Sequence, residues 1–328
     1  MMHNLSGRGL RLSSNQERSR LSKTALSLVL TACLSACSQQ STYHRPELDV
    51  APAWQQDARD LGSQQAGLWW QGFQDPALDQ LVDEVLAANP DMQVAGLRLK
   101  SALLGADLAD TNLTPSVNAS LGASGNKNIK DGSASSNLGP SFNLSYEVDL
   151  WGRLASVRDQ AQWEAEASEQ DRAATRLMLV GKTLEQYWQL AYLGSALSLG
   201  ERQLANYERI ERLTRAKYDA GAVTRLDLVQ ASQQKAGKQA DLSSLTLQRE
   251  QAGNALRLLL GRSSGPLEFA PTSLAMSPIP TLAVGIPADV LSRRPDVRAA
   301  ELRLRKTLAR GDEIRTGFYP TLSLTGGA

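Results

Sequence analysis

The fold is decided where Gly139-Pro-Ser-Phe-Asn-Leu-Ser-Tyr-Glu-Val-Asp149 passes through Leu150-Trp-Gly152 into Arg153. Apolar and polar side chains alternate through residues 139–149, which is the period-two pattern of a β-strand. From Arg153 to about Lys217 the chain contains no proline, and apolar residues recur every three or four positions, which is typical of a helix. The sequence therefore predicts a strand that leads directly into a long helix.

The helical stretch carries a single narrow apolar seam, formed by Ala173, Leu177, Val180, Leu184, Tyr187 and Ala191. A second helical run covers residues 226–260 and is followed by Gly261, a natural C-terminal stop. Helices this long with so narrow a seam require coiled-coil neighbours, because they are not stable alone in water.

The segment between the two helical runs contains turn and capping residues. Gly221 can adopt the backbone of a tight turn, and either Thr224 or Asp227 can cap the helix that follows. We therefore predict a very long antiparallel helical hairpin over residues 153–260.

A second alternating segment, residues 115–125, precedes the first, and polar residues 126–137 lie between them. The pattern predicts a β-hairpin over residues 115–149, in which each strand has about the 9 to 11 residues that a tilted transmembrane strand needs. A soluble, half-buried hairpin would alternate in the same way, and alternation alone favours that interpretation. The long helices on either side and an N-terminal lipidation signal favour transmembrane strands.

An internal repeat relates two distant parts of the chain. Residues 89–123 match residues 294–328 at a constant offset of 205, with 12 identities in 35 pairs. A fixed offset indicates an architecture built from duplicated units. The second copy predicts a third strand after Pro320, where Leu322 and Leu324 take the positions of Val117 and Ala119. Two or three strands cannot close a barrel, so a membrane sheet of this kind requires oligomerisation.

The second copy of the repeat stops 35 residues after it begins. A complete copy would add a second strand pair and a second helical hairpin. We therefore expect that the chain is C-terminally truncated.

Residues 1–36 have the features of a signal peptide, with a basic start, an apolar run and small residues before the cleavage site. Leu34-Ser-Ala-Cys37 matches a bacterial lipobox, which predicts a diacylated Cys37 as the membrane anchor. Leu30-Thr-Ala-Cys33 is a second match, but it leaves an apolar core at the low end of the usual length. An ordinary secretory signal with two incidental cysteines is a further alternative. Ser38, in place of Asp, resembles an outer-membrane sorting signal.

The composition argues against several classes of function. With 35 basic and 34 acidic residues the formal net charge is +1, so there is no basic field to attract nucleic acid. Two His and two Cys leave few metal ligands, and we predict no metal site and no cofactor beyond the lipid on Cys37. No Gly-x-Ser-x-Gly elbow and no paired-carboxylate motif supports a hydrolase. After the signal no run of 18 apolar residues occurs, so any membrane crossing is expected to use strands.

Several motifs together carry a family resemblance. They are Ser145-Tyr-Glu-Val-Asp-Leu-Trp-Gly-Arg153, Trp69-Trp70 with Phe73, Asp75-Pro-Ala-Leu78, Asn89-Pro-Asp91, Ala220-Gly221 with Leu226-Asp-Leu228, Asn254-Ala-Leu256 through Leu260-Gly261, and Gly285-Ile-Pro287 through Arg293-Arg-Pro-Asp296. These segments, spread over about residues 43 to 328, resemble the TolC/OprM-like outer membrane factors of the lipoprotein efflux subfamily.

The resemblance implies an α+β membrane protein. In such proteins a long α-helical hairpin barrel forms a periplasmic tunnel, and transmembrane β-barrel strands are completed only in a homotrimer, with four strands of twelve from each intact protomer. The implied function is an outer-membrane channel subunit that passively exports drugs or other small molecules, without catalysis. The implied partners are a periplasmic adaptor (membrane fusion) protein and an inner-membrane transporter, usually of the resistance-nodulation-division type. The implied location is the outer membrane, with lipid anchoring and extension into the periplasm.

The resemblance also assigns roles to individual residues. It matches the adaptor-contact turn at the periplasmic tip to Ala220, Gly221, Ala222, Val223 and Thr224. Asp227 matches an acid that can tether the closed tip. Two plainer interpretations stay open, namely a simple turn glycine at position 221 and a helix-cap acid at position 227.

Aromatic motifs are expected to be structural. Trp151-Gly-Arg153 is predicted to end the strand and start the long helix, and Trp69 and Trp70 are predicted to pack in the equatorial region.

The predicted organisation has five parts. They are a lipoprotein signal peptide (1–36), a lipid-anchored N-terminal segment (37–75), the first repeat (76–261), a Pro-rich equatorial linker (262–287) and the start of a second repeat (288–328). Because the chain ends at Ala328, we expect that it does not conduct by itself, which trimer-sized channels in planar bilayers would contradict. The alternatives are a lipid-anchored coiled-coil periplasmic scaffold and a non-functional fragment of the channel protein. The exported compounds are not predicted, because a wide polar tunnel leaves little substrate-specific chemistry.

Overall fold

The computed structural model describes residues 41–46, 68–268, 270–271, 273–274 and 291–328. Its elements in chain order are a 3₁₀ helix (Trp69–Phe73), α1 (Pro76–Ala88), α2 (Pro90–Thr111), β1 (Ser116–Lys127), β2 (Ala134–Val148), α3 (Arg153–Asp219), α4 (Arg225–Leu259), α5 (Pro295–Thr316) and β3 (Leu322–Gly327). The predicted combination of very long helices with a small sheet is thus observed. The predicted signal peptide, Cys37 and much of the predicted linker lie outside the described residues.

The chain divides into two compact units, of which one contains Glu47–Ala102 and Ala165–Leu302. Its core lies where the 3₁₀ helix and α1 pack against the middle of α3 and the end of α4. The largest fully buried side chains of this core are Trp70, Leu78, Leu81, Val82, Val85, Leu179, Val180, Leu193 and Leu256. Trp70 is therefore a packing residue, as its motif predicts.

The apolar seam predicted along α3 is only partly correct. Val180, Leu184, Tyr187 and Ala191 are buried, but Leu177 is half exposed. The buried stretch starts at Leu179 because the 3₁₀ helix, α1 and the end of α4 contribute a core that begins there.

Asp75 connects α1 to α3. Its carboxylate accepts hydrogen bonds from the backbone N–H groups of Ala77 (3.0 Å) and Leu78 (3.3 Å), which caps the start of α1. The same carboxylate accepts the hydroxyl hydrogen of Tyr187 at 2.6 Å. Burial and this bond raise the pKa of Tyr187, so the phenol stays protonated and acts as a donor.

Asn89 connects the α1–α2 corner to the end of α4. Its side-chain oxygen accepts from the N–H groups of Asp91 (2.8 Å) and Met92 (3.3 Å), and its amide donates to the carbonyl of Leu259 (2.8 Å). Asn89 is only 3% exposed. Gly261 closes against the same corner, since a Cβ at this residue would lie 3.2 Å from the Ala88 carbonyl oxygen. The Asn-Pro-Asp motif is thus a buried helix cap that also holds a second helix.

The second compact unit contains Met1–Pro46, Leu103–Glu164 and Arg303–Ala328. Its sheet is antiparallel with strand order β1-β2-β3. The N-terminal segment is held on α5, where the Asp312 carboxylate accepts from the backbone N–H of Ser41 (2.8 Å) and from its hydroxyl (2.7 Å). The Arg305 guanidinium lies over the rings of Tyr43 (4.8 Å) and Trp163 (5.3 Å), which adds cation–π contacts.

The hairpin strands are longer than the sequence predicts. Pairing continues without interruption from Ser116 opposite Ser145 to Lys127 opposite Ala134. The predicted loop over residues 126–137 is therefore wrong at both ends, and the connection spans residues 128–133. Asn, Ser and Gly were taken as loop residues, but here they occupy the polar face of paired strands.

The internal repeat is visible as matched elements. α2 and α5 each contain 22 residues, and both begin with a proline at the first helical position. The two copies differ just before the helix, because Asn89 is replaced by Arg294, whose guanidinium pairs with Asp296 at 2.7 Å. The third strand predicted after Pro320 is observed at Leu322–Gly327.

Within the described part of the chain, no helix combines enough length with enough apolar character to cross a lipid bilayer.

Candidate functional site

The turn between α3 and α4 is closed by its own backbone. The N–H of Ala222 donates to the Lys217 carbonyl (2.8 Å), and the N–H of Gly221 donates to the Tyr218 carbonyl (2.9 Å). This pair of bonds is a Schellman motif, which requires a left-handed residue at its centre. Gly221 supplies it with a φ of 73°. The turn comprises Ala220, Gly221, Ala222, Val223 and Thr224, of which Val223 is half-buried and the others are exposed.

Thr224 and Asp227 form a reciprocal capping box at the start of α4. The Asp227 carboxylate accepts from the Thr224 hydroxyl (2.6 Å) and backbone N–H (2.8 Å), and the Asp227 N–H donates to the Thr224 hydroxyl oxygen (3.3 Å). The bonds from Thr224 hold the pKa of Asp227 below its usual range. The carboxylate is thus held by its own helix, in agreement with the helix-cap interpretation. A role as a tether between copies stays a prediction.

Glu211 forms a clasp between α3 and α4 near the turn. Its carboxylate accepts from the Lys235 ammonium at 2.6 Å, from the Ser232 hydroxyl at 3.0 Å and from Arg215 at 3.3 Å. The hydrogen bond from Lys235 is the largest cause that lowers the pKa of Glu211. The clasp fixes the register of the two helices close to the turn.

The sheet presents one continuous apolar face. The register places Val117 opposite Leu144, Ala119 opposite Phe142 and Leu121 opposite Pro140. β3 extends this face by placing Leu324 opposite Tyr146 and Leu322 opposite Val148. Among its members, Val117, Leu121, Leu138, Phe142, Leu144, Leu322 and Leu324 are large apolar side chains that stay exposed. The half-buried soluble hairpin is therefore not what forms, because nothing in the described chain covers this face.

The opposite face of the sheet is polar and made of small residues. Ser116 faces Ser145 with their hydroxyl oxygens 2.7 Å apart, and Ser120 faces Ser141 at the same distance. Asn, Ser and Gly pairs continue this face along β1 and β2. A polar, small-residue face of this kind can line water while the other face contacts lipid.

The strand-to-helix junction is held by charged side chains from its own motif. Arg153 makes two short hydrogen bonds to the Glu147 carboxylate, at 2.8 and 2.9 Å. The Asp149 carboxylate accepts from the N–H groups of Leu154 (3.1 Å) and Ala155 (2.8 Å), so it caps α3. Trp151 stacks on Tyr319 with ring centroids 5.1 Å apart. The motif thus has the structural role that the sequence predicts, and Asp149 is a cap that the sequence analysis missed.

The structure describes the predicted turn residues together in one turn, whereas Cys37 lies outside the described residues. Sequence reasoning missed the Glu211 clasp. A signal for it exists only in three dimensions, because Glu211 and Lys235 are 24 residues apart on different helices. No cluster of metal-ligating side chains occurs within residues 41–46, 68–268 and 291–328.

Comparisons with known proteins point to one kind of protein. Residues 81–262 match the family described as outer membrane efflux protein. The pyoverdine export outer membrane protein OpmQ of Pseudomonas putida is 33% identical over 319 residues, which cover 91% of this chain and 65% of that protein. The chain therefore spans about two thirds of the length of this curated relative.

Solved channel structures share the fold. The structure of CusC, described in terms of folding and transmembrane channel formation, matches with a TM-score of 0.74 and 28% identity. The open state of the MtrE outer membrane channel of Neisseria gonorrhoeae matches with a TM-score of 0.73 and 28% identity. Each match covers 89% of this chain and 66% of the solved chain.

Proposed function

Because this chain belongs to the outer membrane efflux protein family, we propose that it is a channel subunit of a tripartite efflux pump. In this role it is a passive export duct for drugs or other small molecules, lipid-anchored in the outer membrane and extending into the periplasm. The duct needs no cofactor and no catalytic residue, since solutes move through it without a bond being made or broken.

The two-faced sheet carries the proposal. A bilayer offers a partner for an exposed apolar face, and a water-filled lumen offers one for a face of Ser, Asn and Gly. Leu121 is 71% exposed on the first face, whereas Ser120 lies on the second. A coiled-coil scaffold has no use for this arrangement, so the sheet favours the channel over that alternative.

The sheet also supports assembly with further copies of the chain. β1 and β3 are the outer strands, and their outward backbone groups are not paired within the described chain. Lipid cannot satisfy such groups, so the sheet must be continued by other strands. We infer a homotrimer in which these edges join to complete a transmembrane barrel.

We place the periplasmic partners at the other end of the subunit. The adaptor is proposed to contact Ala220–Thr224, the turn that ends the helical hairpin, and the inner-membrane transporter lies beyond the adaptor. Asp227 beside this turn is proposed to tether the closed tip, in addition to capping α4.

A matched pair of lysine substitutions tests the membrane role of the sheet. In Leu121→Lys a charge replaces an apolar side chain on the proposed lipid face, at a cost of about 2–4 kcal/mol near the middle of a bilayer. In Ser120→Lys the same charge enters the proposed lumen face. We expect the 328-residue chain with Leu121→Lys to be lost from the outer-membrane fraction and to lose heat-modifiable migration in detergent gels. The chain with Ser120→Lys should keep both.

Equal behaviour of the two variants would contradict a lipid-facing apolar surface. Absence of heat-modifiable migration from the unsubstituted chain would instead favour the scaffold, because a scaffold forms no barrel.

A further inference from the structure

The acidic side chains nearest the end of the helical hairpin are engaged within the chain itself. Glu211 is held by Lys235, Ser232 and Arg215, and Asp227 is held by Thr224. Their charges are therefore largely compensated locally and offer little attraction to a cationic partner.

The cations of the same region are exposed. Arg209, Arg212 and Lys217 on α3 and Arg225 on α4 are all exposed to solvent. In the part of the chain that the structure describes, the side chains of these four residues have neither a hydrogen bond nor an ion pair. The end of the hairpin thus presents positive charge that is not compensated within the described chain.

Apolar side chains are interleaved with these cations at helical spacing. Arg209, Leu213 and Lys217 follow one another at four-residue intervals, and so do Arg225 and Val229, so each set lies along one face of its helix. Leu213 is 58% exposed and Val229 is 51% exposed. We name these five residues the basic–apolar face.

We propose that the basic–apolar face binds a partner protein through an amphipathic helical segment with apolar residues flanked by Asp or Glu. An adjacent helix repeats its side chains at the same three- and four-residue spacing, so its acids can meet Arg209 and Lys217 while its apolar residue covers Leu213. The charges orient the partner, and the apolar contacts supply most of the affinity. This inference rests on the proposed function, because that function locates a periplasmic partner at the turn, and it specifies the chemistry of that partner.

Two synthetic helical peptides serve as probes. They share length and leucine positions and differ only in carrying Glu or Lys at the flanking positions. Binding to the purified full-length chain in detergent is measured by fluorescence anisotropy at low and high salt. We expect the Glu peptide to bind roughly tenfold more tightly than the Lys peptide, with the difference shrinking as salt screens the exposed charges. Equal affinities would overturn the proposal, whatever any variant does.

Charge reversal tests the residues. Arg209→Glu combined with Lys217→Glu should invert the preference, so that the Lys peptide binds more tightly. The matched control combines Arg202→Glu with Arg249→Glu, which makes the same charge change at exposed positions of α3 and α4 away from the turn. The control should keep the preference for the Glu peptide. A control that also inverts would assign the effect to net charge and overturn the proposal.

Two further measurements separate this inference from its premises. Vesicles of anionic phospholipid that bind the face with the same dependence on Arg209 and Lys217, while neither peptide is preferred, would replace the protein partner with a lipid surface and overturn the proposal. Outer-membrane fractionation and heat-modifiable migration report the channel role independently. If both persist while the peptides are not discriminated, only the partner inference fails.

Discussion

At the scale of single residues, two glycines with the same left-handed backbone are constrained differently. Gly221 has a φ of 73° and Gly261 a φ of 66°, and each closes a helix. A Cβ on Gly221 would meet nothing within 4 Å, whereas one on Gly261 would lie 3.2 Å from the Ala88 carbonyl oxygen. The first is required by its turn alone, and the second also by close packing.

Alanine substitutions should separate these two requirements. Gly221→Ala should destabilise the chain by about 1 kcal/mol, the cost of a left-handed conformation for a residue with a Cβ. Gly261→Ala should cost more because the carbonyl must also move. Gly237→Ala, in the interior of α4 with open space around it, should stabilise by about 1 kcal/mol. Urea denaturation in detergent gives the three values, and equal losses at positions 221 and 261 would contradict the packing argument.

The sequence indicates residues of this kind when the reason is local. Gly221 as a turn glycine and Thr224 as a cap follow from their neighbours along the chain, and the structure confirms both. The role of Asn89 as a bond to α4 does not follow, because its acceptor, Leu259, is 170 residues away in sequence.

At the scale of elements, Asn89 joins the start of α2 to the end of α4 through one buried amide. Asn89→Ala should remove the cap and leave the Leu259 carbonyl without this donor, at a cost of about 2–3 kcal/mol. The control is Arg294→Ala at the matching position of the repeat, where the side chain is exposed and pairs only with nearby Asp296. Thermal unfolding followed by circular dichroism should show a large drop in midpoint for the first variant and little change for the second.

The Glu211 clasp predicts an acid-sensitive link between α3 and α4. Because the pKa of Glu211 is lowered from its ordinary value of 4.5, the stabilisation is complete above that value and is lost as pH falls through the lowered pKa. Glu211→Gln should therefore lower the thermal midpoint at pH 7, and the difference from the unsubstituted chain should shrink in acid. Glu201→Gln, an exposed neighbour on α3, is the control. A difference that persists unchanged at pH 3 would exclude the carboxylate as its source.

Element boundaries were predictable where the pattern changes type and not where it changes composition. The passage from strand to α3 at Arg153 appears as predicted because the period changes from two to 3.6. The inner ends of β1 and β2 were misplaced because Asn126 and Asn137, which read as loop residues, pair with serines across the hairpin.

At the scale of the whole molecule, the sheet decides what the chain can do. The charge test at Leu121 and Ser120 belongs to this scale, because neither side chain differs much in its contacts within one chain and only a surrounding phase distinguishes them. Alternation in the sequence predicts two faces, but it does not say whether the rest of the chain covers the apolar one. The structure supplies that fact, since the large apolar side chains of β1 and β3 stay exposed.

The matched lengths of α2 and α5 make each of these helices a molecular ruler. At about 1.5 Å per residue, 22 residues set a span of about 33 Å between the proline that starts each helix and the strand that follows it. Adding one residue would lengthen that span and also rotate everything beyond it by about 100°. Point substitutions can accumulate along such a helix, as the differences between the two copies show, but its residue count is a dimension that evolution cannot adjust in single steps.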